Sequence, residues 1–129
     1  MMPLAEFIRR AIAVPFVEQG RGWTGWDCWG AVVMFHQEVL GIKLPSYVAD
    51  QSDAGGVRLP GHQPTWDSVT SPEPGDVAQL CIAGRPVHVG IVVGDGLMLH
   101  SDPMTGTVIE RLSSPKWARR IEGFYRYVQ

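Results

Sequence analysis

The chain has 129 residues and a net charge of −2, with no block of basic residues. This size fits one domain over 1–129 with a self-sufficient core, and the lack of a positive face argues against a nucleic-acid partner. Hydrophobic residues make up 45% and charged residues 19%, a balance that excludes a disordered chain, and no run approaches the roughly 20 apolar residues of a membrane span.

Pro3 to Ala13 is expected to form a short amphipathic helix, with Leu4, Phe7, Ile8, Ala11 and Ile12 on one stripe and Pro3 suited to its first turn. Pro15 ends it. The apolar stretch Ala11–Val17 does not read as an export signal: it is short, contains Pro15, follows Glu6 and has no small-residue cleavage site. Synthesis in the cytoplasm, with delivery by another component, is the resulting expectation. A glycine-rich loop, Gly20 to Gly25, precedes Asp27, a good N-cap for a helix over Cys28–Leu40 stopped by Gly41. The loop's glycines are expected to let a substrate approach closely.

Ser46 to Pro74 is rich in Gly, Pro, Ser and Asp. It reads as a long connection with at most one helical turn, around Ser46–Gln51, of a length often found in the walls of sites. Pro74-Gly75-Asp76 is a turn. Strands are expected at Val77–Ala83, Val87–Val93, Leu97–His100, Thr107–Arg111 and Ile121–Val128, with a helical turn at Pro115–Ala118. Helices followed by a strand meander imply an α+β fold on an antiparallel sheet of about five strands.

Three residues stand out chemically. Cys28 falls in the first turn of a helix, where free N–H groups and the dipole favour a thiolate nucleophile; the alternative is a buried core cysteine. His88 lies mid-strand between Val87 and Val89, a position equally typical of a hydrogen-bonded core histidine. Alternation puts His88, Gly90 and Val92 on one face. If the hairpin after Val93 centres on Gly94, His88 and His100 are directly opposed, about 5 Å apart at Cβ, and one ring can orient the other. A centre on Asp95 makes the pair diagonal.

Other candidates are weaker. His36 is expected to face away from this group, His62 to be solvated, Cys81 to be core, and Asp102 to shape a turn before Pro103. A zinc site from Cys28, His88 and His100 lacks any close paired ligand spacing. A Cys28–Cys81 disulfide would block the nucleophile. Trp66 and Trp117 read as core.

These residues resemble the NlpC family of bacterial cell-wall cysteine peptidases. Trp26-Asp27-Cys28-Trp29-Gly30 is similar to the family's Asp-Cys-Ser-Gly motif, Pro74-Gly75-Asp76-Val77 to its Pro-Gly-Asp-Leu, and His88-Val89-Gly90-Ile91 with the later Met98-Leu99-His100 to its His-Val-Gly-Ile segment and second histidine. Leu44-Pro45 also matches, and the likeness runs from Val14 to Phe124. It implies a papain-like core, with a nucleophile-bearing helix packed on the antiparallel sheet. It further implies Cys28 as nucleophile, His88 as base and acid, and His100 as the orienting residue, with no metal or organic cofactor. The implied activity is cleavage of peptidoglycan stem peptides, often between D-glutamate and diaminopimelate.

Substrate binding is expected at Trp23, Trp26, Asp27 and Trp29, with specificity from Arg21–Trp26 and Ser46–His62 and a substrate carboxylate met by Arg21, Arg58 or Arg85. Two residues depart from the pattern: Phe16 stands where the family has a tyrosine, and Trp29 where it has serine. The tryptophan-rich motif resembles versions in phage tail proteins and gene-transfer agents, which implies tail proteins as partners and the virion as carrier to the wall. An inactive structural tail module and a related amidase or acyltransferase are the rival readings.

Overall fold

The computed structural model describes residues 1–44 and 66–128. Helix α1 spans Leu4–Ala11 and buries Phe7 and Ala11. Ile12, expected on the same stripe, is the C-cap of the helix and is 54% exposed. A two-stranded ribbon, β1 (Arg21–Gly22) and β2 (Gly25–Trp26), leads into α2 (Cys28–Phe35). The last turn of that helix, His36–Leu40, winds as a π-helix and closes on Gly41 at φ 68°, a conformation glycine adopts without strain. Helix α2 is apolar on almost every side and correspondingly buried.

The main sheet is antiparallel and six-stranded. Its strands are β3 (Trp66–Val69), β4 (Val77–Ile82), β5 (Arg85–Gly94), β6 (Leu97–Asp102), β7 (Gly106–Arg111) and β8 (Ile121–Tyr127), in the order β3-β8-β4-β5-β6-β7. Five correspond to the expected strands. The sixth, β3, lies inside the stretch read as a connection; the rest of that stretch through residue 65, including the turn at Ser46–Gln51, Arg58 and His62, lies outside the described residues. Strand β3 is a four-residue edge strand whose Asp67 and Ser68 are exposed, so it carries almost no alternating signal.

Helix α2 packs on one face of the sheet, in one core with Val77, Val89, Ile91, Val93 and Leu99, and α1 joins that core through Phe7, which lies against Trp23, Trp26 and Phe35. A smaller cluster covers other positions: Ala78, Leu80 and Met98 under Trp117, which sits in a turn between β7 and β8. Cys81 is half-buried and not in the core. The Pro74-Gly75-Asp76 turn has a structural purpose. Asp76 is 2% exposed and accepts both Nε and Nη2 of Arg126 at 2.8 Å, clamping β8 beside the start of β4.

Candidate active site

The site lies where α2 meets the sheet. Strands β5 and β6 pair through Ile91↔Leu99, Val92↔Met98 and Gly94↔Leu97, with a bulge near the turn. The paired register begins at Ile91, and the N-terminus of α2 lies beside the residues just outside it on each strand, Val89 and Ser101. The Ser101 hydroxyl donates to the Trp26 carbonyl at 3.0 Å, and the backbone N–H of Val89 reaches the Cys28 thiol. Cys28 is thus brought beside the residue that follows His88.

The Ile91↔Leu99 register centres the hairpin on Asp95, so His88 and His100 are diagonal rather than opposed. The rings still meet: His88 Nε2 lies 2.9 Å from His100 Nδ1, with the ring planes at 83°. Continuing the register sets Gly90 across from His100, and a Cβ there would stand 2.9 Å from Met98 Sδ and, at an ordinary contact distance, 3.5 Å from the His100 Cβ, so glycine at this position leaves room for the Met98 side chain. With Nε2 of His88 turned to His100, Nδ1 of His88 is the nitrogen left available to a thiol.

Trp117, read as a structural tryptophan, covers both histidines. Its indole stacks on His88 at 5.8 Å and 20°, and meets the His100 ring edge-on at 5.3 Å. Its N–H donates to Glu110. Burial disfavours the charged form of all three polar side chains. The Cys28 thiol is pushed up to about 11, chiefly by burial, against the pull of the Val89 and Trp29 N–H groups. His88 is pushed down to about 4 by burial and then by His100, and His100 is lowered by burial against the opposing effect of Glu110. Burial thus favours thiol and imidazole over thiolate and imidazolium at rest.

Asp27 caps α2 as expected. Its Oδ1 accepts Gly30 N–H at 2.7 Å and Arg21 Nη1 at 2.8 Å, and its Oδ2 accepts Gln19 N–H at 2.9 Å. All of these bonds are internal. Trp26 is fully buried, with its indole N–H donated to Thr107, and Trp29 is 3% exposed and packs edge-on against Trp66. In this conformation these three side chains hold the loop and present no face to a substrate. Trp23 keeps some exposure, flanked by Phe7, Trp26 and the Arg10 guanidinium.

The glycines of the loop and of the first turn of α2 serve packing. A Cβ at Gly20 would lie 2.3 Å from the Gly25 carbonyl oxygen, one at Gly25 2.2 Å from a Val17 methyl, and one at Gly30 2.2 Å from the Gly20 carbonyl oxygen. Gly22 alone of these four has nothing within 4 Å. Gly30→Ala is therefore expected to destabilise the fold by roughly 1–3 kcal/mol or more through overpacking against backbone, whereas Gly22→Ala should stay within about 0.5 kcal/mol. Urea denaturation of the two variants checks this; equal midpoints would refute it.

His36 faces away from the site, buried with Nδ1 donating to the Val32 carbonyl at 2.8 Å. Asp102 accepts the Met104 N–H and shapes the β6–β7 turn. Cys28 and Cys81 are both free thiols. Among the described residues no group of three or more His, Cys, Asp or Glu side chains is arranged to hold a metal ion, and no helix is long and apolar enough to cross a membrane.

Known proteins resemble this chain in sequence and fold. The chain is 28% identical over 96 residues to the murein DD-endopeptidase MepS/murein LD-carboxypeptidase of Escherichia coli K12, covering 74% of this chain and 46% of that protein. It is 27% identical over 129 residues to the gamma-DL-glutamyl hydrolase of Bacillus subtilis 168, covering 98% of this chain and 29% of that protein. It thus spans less than half the length of either relative. A crystal structure of an NlpC/P60 family protein from Bacillus cereus ATCC 10987 superposes with a TM-score of 0.69 at 23% identity, over 99% of this chain and 41% of that one, so the fold is the papain-like α+β fold of that group. The family model itself matches residues 13–126, and the chain belongs to the NlpC/P60 family.

Proposed function

We propose that this protein is a cysteine endopeptidase of peptidoglycan stem peptides, acting through Cys28, His88 and His100. The observation that carries the reading is the 2.9 Å contact between His88 Nε2 and His100 Nδ1 beside the helix N-terminus that bears Cys28. For Nδ1 of His88 to accept a proton, its own proton must sit on Nε2, where His100 Nδ1 accepts it. The thiol then gives its proton to His88 Nδ1 as the sulfur attacks the peptide carbonyl, in keeping with a resting pair that is neutral. The oxyanion forms at the start of α2, where first-turn N–H groups lack intrahelical partners. His88 returns the proton to the leaving amine, then activates the water that opens the thioester.

The bond we assign is the one between D-glutamate and diaminopimelate. The name of the Bacillus subtilis relative, a glutamyl hydrolase, supports that choice, while the Escherichia coli relative is named for a different murein bond. The Trp26-to-Gly30 motif supports the further reading that the enzyme is carried by a phage or prophage tail, with tail proteins as partners.

One observation favours a rival. Burial lifts the Cys28 thiol to about 11, and Phe16, which bridges to Trp26 beside the nucleophile motif, has no hydroxyl to offer. An inactive structural module with this fold would look the same. Mass spectrometry of peptidoglycan fragments incubated with the protein, and in parallel with Cys28→Ala, decides. New stem-peptide products that vanish in the variant are expected, and their masses name the bond. No products from folded wild-type protein, or products that persist in Cys28→Ala, would overturn the reading.

A further inference from the structure

We propose that Glu110 is a positioning residue that extends the site to a four-membered chain, Cys28–His88–His100–Glu110, by fixing the tautomer of His100. The inference rests on the reading above, in which His88 is the base for Cys28.

His100 is 1% exposed, and its Nδ1 is taken by His88. Its other nitrogen, Nε2, is buried and makes no hydrogen bond. Glu110 Oε2 lies 3.5 Å away, close enough for electrostatic attraction but longer than a formed hydrogen bond. Strand pairing puts it there. His100 is paired with Val108 on β7, so Glu110, two residues on, lies diagonally on the same face. The carboxylate is held by the Trp117 N–H and by Lys116, whose Nζ is 3.9 Å from Oε1. The same indole lies against both histidine rings.

Proton placement then follows in one direction. If Nδ1 of His88 must be bare to receive the thiol proton, Nε2 of His88 carries hydrogen and Nδ1 of His100 is bare. His100 must then carry its hydrogen on Nε2, pointed at Glu110. The opposite tautomer would set an imidazole lone pair against a carboxylate. When His88 becomes imidazolium, the Glu110 charge stabilises it through His100. The other charged groups facing the two rings are Asp102, which favours a positive charge there, and Lys116, which opposes it. The contact is expected to shorten when His88 is charged, as resting catalytic hydrogen bonds are often long.

The bland role for Glu110 is to anchor Trp117. Glu110→Gln keeps an acceptor for both partners and removes the charge, while Glu110→Ala removes both. The readouts are ¹⁵N NMR of the histidine rings and the pH profile of Cys28 alkylation by iodoacetamide, neither of which requires peptidoglycan turnover. The wild type is expected to hold His100 as the Nε2–H tautomer. Glu110→Ala should mix the tautomers and slow alkylation at pH 7 roughly 10- to 100-fold, as loss of a partner that orients a functional histidine does. Glu110→Gln should keep the tautomer and lose only part of the rate. A wild-type His100 in the Nδ1–H form, or a Glu110→Ala protein that changes melting temperature but neither tautomer nor alkylation profile, would overturn the proposal. Tautomer and alkylation behaving as expected with no cleavage of any wall fragment would instead sink the peptidase reading and leave the role of Glu110 standing.

Discussion

His88→Ala is expected to abolish cleavage as completely as Cys28→Ala, a loss on the order of 10⁴-fold or more in kcat, and the double variant should be no worse than either single one. Such non-additivity follows from the resting state. With the thiol near 11 and the imidazole near 4, neither group is charged at neutral pH, so the sulfur becomes a nucleophile only if His88 takes its proton during attack. Without His88 a thiolate is still available to solvent base, but at pH 7 only about one thiol in 10⁴ is ionised when its pKa is about 11. The expected pH profile of kcat/KM is correspondingly broad, bounded by His88 on the acid side and by Cys28 on the alkaline side. The measurement is kcat/KM of the single and double variants on a defined muropeptide. A His88→Ala enzyme retaining a tenth of wild-type activity would place the base elsewhere.

Local rules carried the reading of the sequence where short-range chemistry decides structure. Asp27 caps the helix that starts at Cys28, and Gly41 stops it in a left-handed conformation. The turn Gly94-Asp95-Gly96 needs positive φ at all three residues, and two are glycine. What local rules left open was register. The hairpin closes on the pair Gly94↔Leu97, and a bulge between Val92 and Gly94 then shifts the pairing by one residue to Val92↔Met98, a shift that no residue type announces. Even so, the two histidines meet across the diagonal, with Nε2 of His88 2.9 Å from Nδ1 of His100.

The contacts of Glu110 and Trp117 with the histidines escape local rules for a related reason. Taking Met104 as the centre of the β6–β7 turn sets Val108 against His100 and Glu110 on its diagonal, a signal present in the sequence but dependent on the preceding hairpin. Trp117 reaches the site from a turn 17 residues beyond His100, and no periodicity predicts that contact. A motif names residues without saying which way they point, and in this conformation Trp26 and Trp29 are both buried. The insertion of the last strand, β8, between β3 and β4 is likewise set by the Arg126–Asp76 clamp and the packing of Trp66 on Tyr127, not by local pattern.

The same burial that silences the site at rest makes the fold acid-sensitive, and the sign can be fixed. His88 has a pKa of about 4 when folded and an ordinary value of 6.5 when unfolded. Between those values the unfolded chain binds more protons, so stability rises with pH there; it is fully present above pH 6.5 and lost as pH falls through 4. At pH 5 the loss from His88 alone is about 2 kcal/mol. His100 and His36 are lowered by burial as well, so they act in the same direction. Denaturation in urea is expected to give a clearly lower midpoint at pH 5 than at pH 7, with little change between pH 7 and 8. His88→Gln should remove its own share of that difference, making the variant less acid-sensitive than the wild type even though it is inactive. On the alkaline side the raised thiol of Cys28 predicts the mirror effect, a loss of stability between pH 9 and 11 that Cys28→Ala abolishes. Equal urea midpoints at pH 5 and 7, or an unchanged acid sensitivity in His88→Gln, would mean that His88 is not held neutral by burial. The neutral resting pair, and the concerted attack built on it, would then give way to a preformed thiolate and imidazolium.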